Sequence, residues 1–117
     1  MELGDTFVMG EGGHLWVVIS NPALNREFII VNITGDEFRA GRDCELLPGN
    51  HPFISKRSFV AYGDAKKVTP EAAVKLQAAI DAGAIRPRAR MSKVTLDKIV
   101  AAGKTSKALR EEYHVYL

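Results

Sequence analysis

The sequence predicts a mainly β protein with C-terminal helices, an α+β chain. Two observations carry that prediction. His14-Leu-Trp-Val-Val-Ile-Ser20 and Phe28-Ile-Ile-Val-Asn-Ile-Thr34 are apolar runs rich in β-branched and aromatic residues, joined by a connector with Asn21-Pro22 and Asn25. Such runs, bounded by turn residues, read as buried strands. After Val68 the apolar spacing changes to a helical one, and it remains helical to the C-terminus.

The elements follow in order. Thr6–Met9 is a short first strand, and Gly10-Glu-Gly-Gly13 is a tight turn that favours a hairpin into His14–Ser20. The second long strand covers about Glu27–Thr34. Gly35-Asp36 and Gly41 mark a loop, and Cys44–Leu47 reads as a short strand. Pro48-Gly-Asn-His-Pro52 is a turn, with Phe53 and Ile54 as core anchors behind it. Ser58–Tyr62 and Ala65–Val68 read as two further strands. Closely spaced short strands of this kind predict a barrel or sandwich.

Thr69-Pro70-Glu71 starts a helix: hydroxyl cap, proline at the first helical position, then an acid near the positive dipole end. Ala73, Leu76, Ala79 and Ile80 share its apolar face, and Gly83 stops it. Residues 84–93 read as an arginine- and proline-containing linker. Ser92 caps a second helix with Leu96, Ile99 and Val100 inward, ending near Gly103. Ser106 caps a third, with Leu109 and Tyr113 inward. The chain thus divides into residues 1–83, a barrel with its covering helix, and 84–117, a basic linker and helical hairpin of the same domain.

At 117 residues the chain can bury a core without disulfides or metal. One cysteine, Cys44, allows no internal disulfide and fits a reducing compartment. No run reaches the length of a membrane span, and Met-Glu-Leu-Gly-Asp lacks the features of a signal peptide. The expectation is a cytoplasmic protein without a membrane partner. The net charge of +2 hides a division. Residues 1–55 carry three arginines against eight acids; residues 56–117 carry thirteen basic groups against six acids. Arg86, Arg88, Arg90 and Lys93 cluster without an acid among them. Such a segment attracts phosphate backbones or is simply a solvated linker.

The chain has no phosphate loop, GxGxxG, HExxH or CxxC. Its three histidines and single cysteine are too scattered to predict a metal site, and no cofactor is expected. Cys44 and His51 are the nearest nucleophile–base candidates, although a cysteine flanked by Glu45, Leu46 and Leu47 reads first as a buried small apolar residue. His51 lies in the turn, close in sequence to Lys56 and Arg57. There an imidazole can serve as acid, base or phosphate contact, or hold the turn through a backbone carbonyl. Ser20 and Thr34 end the long strands, where a hydroxyl binds phosphate or caps a loop. His14 starts a strand and shares a side with Trp16, itself a core residue or a stacking platform.

Over roughly residues 3–80 the order and spacing resemble the MazF/PemK/Kid toxin superfamily of type II toxin–antitoxin systems. The resemblance rests on Gly4-Asp5, His14–Ser20, Asn25, Ile30–Thr34, Ser58–Asp64 and the helix from Thr69 to Gly83. It implies an SH3-like small barrel, a homodimer, an antitoxin partner, and metal-independent endoribonuclease activity on single-stranded RNA. Thr34 carries over as a site residue. Ala61 stands where the family has a strand arginine, and the family's acid is reached at Asp64 by a one-residue shift. Under this reading His51 or His14 moves protons and Lys56 or Arg57 holds the phosphate. Arg57, Arg86, Arg88, Arg90 and Lys93 contact the nucleic acid. The alternative is a non-catalytic SH3-like module binding a protein or nucleic acid.

Overall fold

All seven residues of Phe28–Thr34 are buried, and this segment forms the third strand, β3, deep in the sheet. It pairs on one side with β2 (His14–Val18) and on the other with β5 (Ser58–Val68). A strand covered on both faces has no polar side to show, which is why its sequence is almost continuously apolar. The computed structural model describes residues 1–117. Its centre is a curled sheet of six antiparallel strands, a half-barrel with helices packed on it. The strand order is β4-β5-β3-β2-β1-β6, with β1 at Thr6–Met9, β4 at Glu45–Leu46 and β6 at Arg86–Arg88.

The β1–β2 hairpin turns as its glycines require. Gly10, Gly12 and Gly13 all have positive φ, a region that other residues enter at a cost. The resulting register pairs Met9 with His14 and Val8 with Leu15. β2 stops at Val18, short of Ser20; the Ser20 hydroxyl instead accepts the Ile29 N–H at 2.7 Å.

Three expectations are corrected. Ser58–Tyr62 and Ala65–Val68 are not two strands but one, β5, interrupted by a bulge. Ile30 opposes Lys66 and Asn32 opposes Ala61, so two steps along β3 span five along β5. The basic linker contains β6, which pairs Thr6 with Arg88 and Val8 with Arg86 and so covers the free edge of β1. Pro87 fits because β6 is an edge strand. The loop after Gly35 contains a short helix, α1 (Glu37–Ala40), capped by Asp36, whose Oδ1 accepts the N–H groups of Phe38 and Arg39.

Two apolar clusters hold the sheet. On one face, Leu15, Val17, Ile29, Val31, Val60 and Tyr62 pack with Leu96 and Ile99 of α3 (Lys93–Thr105) and with Leu109 and Tyr113 of the C-terminal segment. On the other, Phe7, Trp16, Val18, Phe28, Ile30 and Val68 meet Ala72, Ala73 and Leu76 of α2 (Pro70–Asp81). Thr69 and Ser92 cap α2 and α3 as the sequence predicts. The third helix differs: Ser106 accepts the N–H groups of Ala108 and Leu109, but only a 3-10 helix follows, at Glu111–Tyr116. The expected helical hairpin is therefore one α-helix and a 3-10 turn. No helix is long and apolar enough to cross a membrane.

Candidate functional site

The antiparallel pairing of Leu15 with Ile33 brings the start of β2 beside the end of β3. His14 and Thr34, one residue further along each strand, therefore flank the same end of the sheet. The loop entering β5 supplies the third wall. An open groove of about 500 Å³ results, lined by His14, Thr34, Gly35, Asp36, Phe53, Lys56 and Ser58 among others. Three of the four predicted catalytic residues, His14, Thr34 and Lys56, thus share one groove.

Each has a definable setting. The Thr34 hydroxyl accepts the Asp36 N–H at 3.1 Å, which leaves its proton to be donated. Lys56 lies across Gly35: a methyl group there would stand 2.6 Å from its Cε and 3.0 Å from its Nζ. The ion pairs of the chain include neither Lys56, Arg86 nor Arg88. His14 is half-buried on the groove wall. The ring hydrogen bonds in this chain belong to His51 and His114 instead. The groove therefore holds an uncompensated cation, a hydroxyl donor and an unengaged imidazole. Its one acid, Asp36, has an oxygen committed to capping α1.

His51 is placed differently. It is buried, and both ring nitrogens are occupied. Nδ1 accepts the Phe53 N–H at 3.0 Å, so the proton lies on Nε2, which donates to the Ala89 carbonyl at 2.5 Å. Thr6 donates to the same carbonyl. His51 therefore ties the turn before β5 to the end of β6, rather than facing the groove. The predicted nucleic-acid contacts divide as well. Arg57 pairs with Glu45 and lies 5.1 Å from the Phe59 ring, Arg90 binds Glu2 and Asp5, and Lys93 binds Asp97. Arg86 and Arg88 remain exposed on β6.

Two features escaped the sequence reading. Phe53, expected in the core, is 39% exposed on the groove wall, while Ile54 is buried. The β5 bulge carries Asp64, which accepts the Arg39 guanidinium at 2.9 Å and faces the Asn32 amide at 3.5 Å. Asn32 is itself buried, and its Oδ1 has no partner. In the sequence Asp64 is marked by the interruption of the apolar run at Gly63-Asp64 and by the resemblance, but nothing local signals its pairing with Arg39 and Asn32, away from the groove lining.

Cys44 is 2% exposed, and burial pushes its thiol above the ordinary range. Both ring nitrogens of His51 are held by backbone groups, so Cys44 and His51 do not form a nucleophile–base pair. No cluster of three or more His, Cys, Asp or Glu side chains could hold a metal ion. No family model, curated protein or solved structure matches the chain.

Proposed function

We propose that the chain is a divergent, SH3-like member of the MazF/PemK-like toxins, or a derivative of one, and that its groove cleaves single-stranded RNA without a metal. The convergence of His14, Thr34 and Lys56 carries this reading. In the proposed reaction His14 removes the proton from a ribose 2′-OH. The 2′-oxygen forms a bond to phosphorus, and the bond to the 5′-oxygen breaks. The 5′-oxygen leaves with a proton from solvent, giving a 2′,3′-cyclic phosphate and a 5′-hydroxyl. Lys56 and the Thr34 hydroxyl face the charge that develops on the phosphate oxygens, where preorganised donors are most effective. By the same resemblance the working form is a homodimer held in check by an antitoxin protein in the cytoplasm.

The test is labelled single-stranded RNA incubated with purified protein in EDTA. Cleavage should yield cyclic-phosphate ends and fall about 100-fold or more in His14→Ala and Lys56→Ala. Uncleaved RNA with the wild-type protein refutes the reading. One observation favours a second reading, a module that binds without cleaving. Ala61, where the resemblance calls for an arginine, is buried against Ala40 of α1 and Phe59. RNA retained intact on the protein would select that alternative.

A further inference from the structure

We propose that Phe53 and Arg88 form a base-stacking platform at the rim of the groove, held in place by His51. The proposal rests on the reading that the groove takes single-stranded nucleic acid. The turn before β5 puts two apolar residues side by side, buries Ile54 and leaves Phe53 on the groove wall. The Arg88 guanidinium stands 5.5 Å from the centre of the Phe53 ring and has no carboxylate partner. The guanidinium lies over one face of a part-exposed ring, and such a stacked pair without a carboxylate suits a nucleobase and its phosphate, because every base has a stacking face. Lys56, on the same groove, adds a second unpaired cation.

The platform is preorganised. Phe53 and Arg88 belong to segments far apart in sequence, and His51 joins those segments. Its Nδ1 fixes the Phe53 N–H, and its Nε2 fixes the carbonyl of Ala89, the neighbour of Arg88. The His51 carbonyl also accepts the Ile54 N–H at 2.9 Å. His51 is thus a positioning residue for binding. A side chain held before the ligand arrives loses less freedom on binding.

The experiment measures fluorescence anisotropy of a labelled, single-stranded all-deoxy oligonucleotide, which lacks the 2′-OH the proposed cleavage needs. Phe53→Ala should weaken binding about tenfold, and Phe53→Trp should preserve it. Arg88→Ala should weaken binding and reduce the slope of log affinity against log salt by about one. Unchanged affinity in Phe53→Ala, with an unchanged melting temperature, overturns the platform, as does a wild-type protein that binds no oligonucleotide at low salt. If binding depends on Phe53 but RNA stays intact, cleavage fails and the platform stands. If RNA is cleaved with the same KM by wild type and Phe53→Ala, the platform fails and cleavage stands. Phe53-dependent capture of a protein, with no oligonucleotide bound, assigns the ring to a protein interface and also overturns it.

Discussion

His14 and His51 lie on neighbouring parts of the molecule and have opposite surroundings. His14 opens β2 on the wall of the groove, with no hydrogen bond on its ring. His51 is buried, with one nitrogen on the Phe53 N–H and the other on the Ala89 carbonyl. The difference teaches that partners, rather than residue type or flanking charge, decide which imidazole is free for chemistry. The sequence places His51 next to Lys56 and Arg57 and so makes it the more attractive candidate. In the fold its hydrogen-bonding capacity is already spent on the backbone.

Removing each imidazole should separate the two roles most sharply. His51→Ala leaves the Phe53 N–H without its acceptor, removes one of the two donors to the Ala89 carbonyl and opens a void, a loss of about 2–4 kcal/mol. At this chain length, that corresponds to a fall in melting temperature of about 10 °C or more by calorimetry. His14→Ala should stay within about 0.5 kcal/mol of wild type, as partly exposed sites do. Equal destabilisation by the two variants would break the contrast.

The buried Tyr62 and Cys44 extend the comparison to two further polar groups. The Tyr62 hydroxyl donates to the Ile99 carbonyl at 2.6 Å, and burial pushes both the phenol and the Cys44 thiol upward. The folded chain therefore keeps protons that the unfolded chain releases. This stabilisation is complete below the ordinary thiol and phenol values and is lost as pH rises from them toward the folded ones. The unfolding free energy measured by urea titration should decline above about pH 9, by up to about 1.4 kcal/mol per pH unit and group. Tyr62→Phe should flatten the decline; an unchanged slope would remove Tyr62 from the account.

The smallest effect concerns the groove. Gly35→Ala sets a methyl against the Lys56 stem, and its far end can swing away. Stability should change by less than about 1 kcal/mol, while RNA cleavage falls several-fold as the ammonium moves. Unaltered cleavage would show that the position of Lys56 is immaterial.

What the sequence disclosed was local. Thr69 and Ser92 cap their helices because a cap needs only the next three residues. His14 and Thr34 could be placed at strand ends because the apolar runs stop there. β6 could not be read, since Arg-Pro-Arg gains strand geometry only from the edge of β1, some eighty residues earlier in the chain. The role of His51 was equally hidden, because its decisive partner is Ala89. Phe53 and Ile54 were indistinguishable by composition; which one turns inward depends on a loop geometry without a period.

The bulge in β5 has a consequence for the two faces of the sheet. Before it, odd-numbered Phe59 and Ala61 pack together while even-numbered Val60 and Tyr62 enter the larger core. After it, even-numbered Val68 joins the cluster under α2, and Lys66 lies 5.9 Å from the Trp16 ring of that cluster. The extra residues are odd in number, so the strand changes phase as it passes them. One strand thereby obeys two opposite alternation rules. Deleting a single residue within 62–65 would force either the bulge to re-form with another length or Val68 to turn away from α2.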